Sequence, residues 1–471
     1  MAKKYNEVTP EILEQFKAIV PGKVYAGEEI NSDYFHDEMP IYGKGAPEVV
    51  IEATTTEDIA AIVKVCYENS IPVIPRGAGT GLTGAAVAVD GGVMIDMSKM
   101  NKILDYDLEN FVVRLEPGVL LNDLAEDAQK QGLLYPPDPG EKTASIGGNV
   151  ITNAGGMRAV RYGLTCDFVR CIEAVLPDGE IVRFSSNVVK NTTGYDVKDL
   201  VIGSEGTLCI LTEVTLKLMP APKFTRTLVM PFESLESCID MVPRLLQMAA
   251  VPTAIEFLER ELIDIVERNL HKLLPVKEGD AVLIVMYDAG SEQELLSACT
   301  EASDAALEAG AIDVYIADTP ERIASVWSVR GAILEGMKAE SVAQEECDVV
   351  VPRAKIAEYV RLAKSIGAKY GIRVEPCGHA GDGNIHTEML RDASMSDEDW
   401  IRGTRACLTE LYGVSKQFGG QLSGEHGIGN GRLEYLKPFV GDRMYKLYQS
   451  IKLAFDEKLI LNPGKIITFD E

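Results

Sequence analysis

No two of the nine cysteines in this 471-residue chain are spaced C-x-x-C. They are scattered from Cys66 to Cys407, and their number is odd. That argues against a disulfide framework, a structural zinc knot and a cysteine-ligated iron–sulfur cluster. It suits a reduced, cytoplasmic protein. No run of about 18 uncharged apolar residues occurs, so no membrane-spanning helix is expected. The opening MAKKYNEVTPE is charged and has no apolar stretch, so no secretory signal is expected either. Positive charge is in deficit, with 46 Lys and Arg against 72 Asp and Glu, a formal net charge of −26. Nucleic acid and anionic membrane are disfavoured as partners. A small anionic substrate would meet an unfavourable far field, which a local cation or metal must override. The alternative is that the charge serves only solubility. Histidine is scarce too: there are five, and none lies between positions 37 and 270.

What is present is ordinary for a globular protein, 46% hydrophobic and 25% charged residues over a length that suggests two or three domains. Val49–Ala53 reads as a strand, 56–69 as a helix with Ile59, Ile62, Val63 and Cys66 on one face, and IPVIP at 71–75 as a second strand. GGVMIDM (91–97) and VVRLEPG (112–118), then a helix from Leu121 to Gln131, continue the alternation. Strand-like runs follow at 169–176, 180–184 and 208–218. MPAPK at 219–223 holds two prolines and marks a boundary. Beyond it, TRTLVMPF and AVLIVMY read as strands and SLESCIDMVPRLLQMA and EQELLSACTEASDAALEAG as amphipathic helices. This second α+β region mixes them as in a split βαβ sheet. No internal repeat is visible.

Three glycine-rich segments stand out. The first, Pro75-Arg76-Gly77-Ala78-Gly79-Thr80-Gly81-Leu82-Thr83-Gly84, follows a strand directly. Alternating glycines leave successive N–H groups able to converge on an anion, a cradle for a pyrophosphate. It is neither the Rossmann nor the Walker A pattern. The second runs Ser145-Ile146-Gly147-Gly148-Asn149, then Asn153-Ala154-Gly155-Gly156 and Tyr162-Gly163. The third is Gly203-Ser204-Glu205-Gly206-Thr207-Leu208.

Together, PRGAGTGLTGAA, SIGGNVITNAGG and IGSEGTLCILTEVTLKL resemble the FAD-binding domain of the vanillyl-alcohol oxidase family. The nearest branch is that of the D-type subunit of glycolate oxidase and the FAD-linked D-lactate and D-2-hydroxyglutarate dehydrogenases. The later HAGDGNIH and SGEHGIG carry the resemblance through nearly the whole chain. It implies an α+β fold with a two-part FAD-binding domain and an α+β, ferredoxin-like cap. The expected divisions are 1–220 for the FAD domain, 221–420 for the cap and 421–471 for a C-terminal segment completing the cofactor and active site. The implied cofactor-binding residues are Arg76, Gly77, Ala78, Gly79, Thr80, Gly81, Ser145, Gly148, Asn149, Asn153, Gly155, Gly163, Glu205, Gly206 and Asn462. Some relatives attach the flavin to a histidine. With none between 37 and 270, the FAD is expected to be non-covalent.

Three of the five histidines fall in two further glycine loops. His379 and His386 are seven apart, a spacing that on one straight strand places them on opposite faces. The intervening Gly-Asp-Gly-Asn is a strong turn signal, and a strand–turn–strand would let both imidazoles face one point. In Ser423-Gly424-Glu425-His426-Gly427-Ile428-Gly429 a carboxylate and an imidazole are adjacent. Two histidines and a carboxylate make a three-point site for a divalent metal with open positions. The resemblance implies His379, His386 and Glu425 as ligands of iron, zinc or manganese, His426 as catalytic base and Arg330 as the substrate-binding arginine. Arginine forks match carboxylates bidentately.

Oxidation of a 2-hydroxy acid removes a hydroxyl proton and a Cα hydride. A metal on the hydroxyl lowers its pKa and a neutral imidazole takes the proton, while the flavin takes the hydride at N5. Some relatives have a substrate-binding lysine near Glu346. An acid there disfavours a second substrate carboxylate, which favours lactate or glycolate over 2-hydroxyglutarate. No iron–sulfur ligands or NAD motif are present, so an external acceptor such as electron-transferring flavoprotein, sometimes in electron bifurcation, or another acceptor subunit is implied. An oxygen-using oxidase of the same fold is a rival. So is a metal-dependent hydrolase on the same His/His/Glu cluster, or a non-catalytic FAD-binding subunit.

Overall fold

The computed structural model describes residues 5–38 and 45–469. Residues 1–4, which open the charged N-terminal stretch, lie outside that range. The chain divides into two compact units. The first comprises Met1–Ala154, Leu164–Ala221 and Glu425–Glu471, the second Gly155–Gly163 and Pro222–Gly424.

The first unit opens with a four-stranded sheet in the order Val24–Ala26, Val49–Glu52, Val93–Asp96, Val73–Arg76, the last three parallel. A parallel pair needs a crossover, and the helix Thr56–Asn69 supplies it, capped by Thr55 and burying Ile59, Ile62, Val63 and Cys66. A five-stranded antiparallel sheet follows, ordered Ile103–Asp107, Val112–Leu115, Ile210–Lys217, Val169–Val175, Ile181–Ser185. Its first strand, ILDYD, escapes a sequence reading because it is largely solvated and has no buried face. The C-terminal segment returns to this unit. Leu461 bridges to Val73, and Ile460 and Leu461 are fully buried in the core with Ile51, Val73 and Ile95.

In the second unit seven strands form one antiparallel sheet, ordered Tyr315–Ala317, Phe224–Phe232, Ala281–Ala289, Ala254–Glu259, Arg373–His379, Asn384–Leu390, Gln344–Val350. The first four are laid down as strand–helix–strand and strand–helix–strand joined by an added helix, Arg260–Leu270, an elaboration of the split βαβ pattern the sequence suggested. The last three repeat it. Gln344–Val350, the helix Ile356–Lys369, Arg373–His379 and Asn384–Leu390 take the places of the first three strands and their crossover helix, and Gln421 bridges to Val350 where a fourth strand would pair. The repeat lies in the topology and is absent from the sequence. Residues 155–163, expected in the N-terminal domain, group with this second unit. Tyr162 Oη bonds both Asp288 oxygens at 2.9 Å, Arg161 is paired with Asp288, and Gly381 packs on Val160. No helix among the described residues is long and apolar enough to cross a membrane.

One ion pair ties the C-terminal helix Asp442–Phe455 into the first unit. Lys452 Nζ donates to Asp456 Oδ2 at 2.6 Å, to Thr207 O at 2.6 Å and to Leu461 O at 2.8 Å, with Asp456 fully buried. Removing one partner of a buried pair strands the other's charge. Lys452→Met is expected to cost about 3–5 kcal/mol, read as a lowered urea midpoint with the secondary structure retained.

Candidate active site

In the second unit the two histidines stand on one hairpin. His379 ends the strand Arg373–His379 and His386 lies on Asn384–Leu390; the register pairs His379 with Asn384 and Cys377 with His386. Residues two apart on a strand share a face, so both imidazoles emerge on the same side. Their rings meet edge-on with centroids 5.3 Å apart and Nε2 atoms 3.4 Å apart. Behind each stands a carboxylate. His379 Nδ1 is 2.6 Å from Glu256 Oε1, and His386 Nδ1 is 2.9 Å from Glu346 Oε1. An ionised carboxylate only accepts, so Nδ1 of each ring carries a proton, and in its neutral form each imidazole presents a lone pair at Nε2. This is how metal-binding histidines are oriented by their outer partners, and the donor set suits a divalent cation.

Glu256 was not singled out in the sequence. It sits on Ala254–Glu259, paired across the sheet with His379, and its side chain is wholly buried. Its second oxygen takes Arg330 Nε at 2.7 Å, at the end of the helix Pro320–Arg330. Burial by itself would raise this carboxyl, but His379 and then Arg330 more than offset it and hold it below the usual value. One carboxylate thus aims both a histidine and an arginine. Glu346, expected to act on substrate choice through its charge, meets His386 Nδ1. Asp348 accepts from Asn384 Nδ2 (2.7 Å), Ser423 Oγ (2.7 Å) and Gly424 N (2.9 Å), fixing the chain that leads into Glu425.

In the first unit, Glu425 and His426 are neighbours, with His426 Nε2 3.7 Å from Glu425 Oε1 and both side chains less than one-fifth exposed. The loop after them is fastened from two sides. Thr83 O accepts from Asn430 N (3.0 Å) and Gly431 N (2.9 Å), and Thr83 Oγ1 lies 3.3 Å from His426 O. Glu205 Oε1 and Oε2 accept from Ile428 N and Gly429 N, each at 2.7 Å. Burial pushes the Glu205 carboxyl up to about 7, against the pull of those two N–H groups.

The glycine segments gather in this unit. Pro75, Gly77, Ser145, Gly148, Ile151 and Gly206 line one cleft. Ser145 caps the helix Ile146–Thr152, its Oγ taking Gly148 N at 3.2 Å. A Cβ at Gly77 would collide with that same Oγ, so a larger residue there would have to displace the capping hydroxyl. Arg76 points inward. Its guanidinium donates to Asp33 O (2.9 Å) and Ala86 O (3.1 Å) beneath Gly79, and so shapes the loop carrying Ala78, Thr80 and Gly81. Asn153 ends its helix in the left-handed region, its Oδ1 taking Cys166 N. Asn462 Nδ2 donates to Ala85 O and Glu205 O, both at 2.8 Å, joining the first and third segments. Asn149 Nδ2, Ser204 Oγ and Asn462 Oδ1 are buried without a protein partner. Orphans of this kind call for a ligand, and with the bare cleft they fit a flavin nucleotide. Gly155 and Gly163 belong to the segment that groups with the second unit. Of the remaining histidines, His36 Nδ1 meets Asp37 O, and His271 caps a helix.

Two family models match the chain: an FAD binding domain over residues 47–185, and the C-terminal domain of FAD linked oxidases over residues 221–466. The chain belongs to the FAD-linked oxidase family, and is an FAD-binding oxidoreductase of the vanillyl-alcohol oxidase fold. It is 52% identical to a D-lactate dehydrogenase of Anaerostipes hadrus, covering 98% of each chain. It is 38% identical to a D-lactate dehydrogenase of Archaeoglobus fulgidus, over 92% of this chain and 95% of that one. The glycolate oxidase protein GlcD of Bacillus subtilis is 34% identical, over 93% and 92%. Among solved structures, p-cresol methylhydroxylase superposes with a TM-score of 0.82 at 20% identity, covering 99% of each chain. That likeness speaks for the fold alone.

Lys465, two residues past Pro463, is 2% exposed and donates to Val87 O at 2.8 Å. Burial lowers its pKa to about 8, with Asp90, Glu205 and Asp37 opposing. The unfolded chain keeps this proton up to about 10.4. Between those values the unfolded state binds more protons, so this group adds stability as pH rises, at up to about 1.4 kcal/mol per unit. Urea midpoints from pH 7.5 to 9.5 should therefore climb less in Lys465→Met than in the wild type.

Proposed function

We propose that this chain oxidises a small D-2-hydroxy acid, D-lactate to pyruvate, on non-covalently held FAD. The observation that carries the reading is the 52% identity, end to end, with a D-lactate dehydrogenase. It is supported by a carboxylate-backed histidine pair and an arginine steered by the same Glu256. His379, His386 and Glu425 would hold a divalent metal (iron, zinc or manganese), which supplies Lewis acidity to the substrate hydroxyl. Bound FAD supplies the two-electron acceptor for the Cα hydride. Arg330 receives the substrate carboxylate, which fixes orientation. His426 takes the hydroxyl proton as base. Ser145, Gly148, Asn149, Asn153 and Asn462 would hold the cofactor together with the loop Gly77–Gly81, and Gly155, Gly163 and Gly206 would line it. Electrons then leave to an external carrier, for which we favour electron-transferring flavoprotein. Nine cysteines outside any disulfide, eight of them buried, suit a cytoplasmic setting. Glycolate and D-2-hydroxyglutarate are the alternative substrates.

Anaerobic absorbance of the purified protein, before and after D-lactate, tests this reading. The flavin band at about 450 nm should bleach with D-lactate, and not with L-lactate or D-2-hydroxyglutarate. A flavin band that no hydroxy acid bleaches would remove the substrate assignment. Glu256→Gln should lower metal content at limiting metal, and turnover, by about 10–100-fold, while FAD stays bound. Metal analysis beside steady-state assays would show it, and unchanged values in both would count against the metal reading.

A further inference from the structure

We propose that Glu205 positions His426: its buried carboxylate clasps the turn that follows the histidine and sets where the imidazole stands. This rests on the reading of His426 as the catalytic base.

The geometry is specific. Both carboxylate oxygens are engaged by consecutive backbone N–H groups, Ile428 and Gly429, each at 2.7 Å. A carboxylate that accepts on both oxygens forms two charge-assisted bonds in one plane, a stronger and more directional hold than neutral partners give. Gly427, between His426 and the clasp, has φ +82°, and a Cβ there would stand 2.6 Å from Glu205 Oε1. The turn therefore closes onto the carboxylate only with glycine at 427. Glu205 is itself in the left-handed region, at φ 51°, an uncommon conformation for a residue without Asn or Asp character. Its backbone is held there by Glu205 N to Ile151 O (2.7 Å) and by Asn462 Nδ2 to Glu205 O (2.8 Å).

Thr83 closes the opposite flank of the loop. The imidazole is thus borne on a short loop fixed at both sides to segments that also line the flavin cleft. Both oxygens of the Glu205 side chain are engaged by the loop, so its part in proton transfer runs through His426.

The test is a double-mutant cycle on the FAD-loaded protein, with a second readout on the histidine. Glutamine keeps the shape, but its amide nitrogen faces one of the two N–H groups. Glu205→Gln is expected to lower kcat by about 10–100-fold, since small misplacements of a reacting group are costly, with KM for D-lactate within about twofold. In a His426→Ala background the same change should cost nothing further, because residues that act as a unit are not additive. Gly427→Ala, which pushes on the clasp from the other side, should behave like Glu205→Gln. In histidine-labelled protein, the ring resonance lost in His426→Ala should move in Glu205→Gln, while FAD stoichiometry and the flavin spectrum are kept. Equal losses in both backgrounds, or loss of FAD with an unmoved His426 resonance, would overturn the proposal. Full activity of His426→Ala would instead sink the assignment of the base, while the resonance shift still reported on the clasp.

Discussion

Two imidazoles facing each other through their unprotonated nitrogens repel unless something positive lies between them. The second unit holds His379 and His386 in that relation, with Nε2 atoms 3.4 Å apart. It does so by placing an acceptor behind each ring. Those acceptors are buried carboxyls, and a buried polar group persists only when it is partnered. Glu256 is paired twice, with His379 and Arg330, and this requirement draws the helix Pro320–Arg330 onto the sheet. Asp348 extends the order to Ser423 and Gly424, next to Glu425. The sheet's register, the helix position and the following loop all answer to one arrangement of two rings.

Such a demand explains what could be read from the chain. Glycine segments are legible where a backbone comes so close that a side chain has no room, as at Gly429, where a Cβ would stand 2.2 Å from Thr83 O. The histidine hairpin was legible because Gly-Asp-Gly-Asn is a turn in its own right, and the structure places the turn there. The boundary at 219–223 was marked by prolines, and the structure changes unit at 221/222.

What was missed depends on pairings remote in sequence. Glu256 is 123 residues from His379, and nothing in AIEFLE distinguishes a charged anchor from an ordinary strand acid. The contact of Glu346 with His386 follows from strand register across 40 residues, which no local pattern carries. The resemblance implies Arg76 as a cofactor-binding residue; its guanidinium donates to Asp33 O and Ala86 O, two backbone contacts that no local pattern announces. The doubled split βαβ pattern was invisible for another reason. Topology constrains strand order and handedness, not the residues that fill the strands, so two halves can share a path without sharing a sequence.

The first unit is built from three separate stretches of chain, and the second almost wholly from one. During synthesis a unit can close only when its last strand or plug has emerged, and domains generally fold as they become complete. All of 222–424 is available while residues 425–471 are still being made. The core around Val73 stays open until Ile460 and Leu461 arrive. The histidine hairpin therefore belongs to a stretch that can fold before the segment carrying Ile460 and Leu461 closes the core of the first unit.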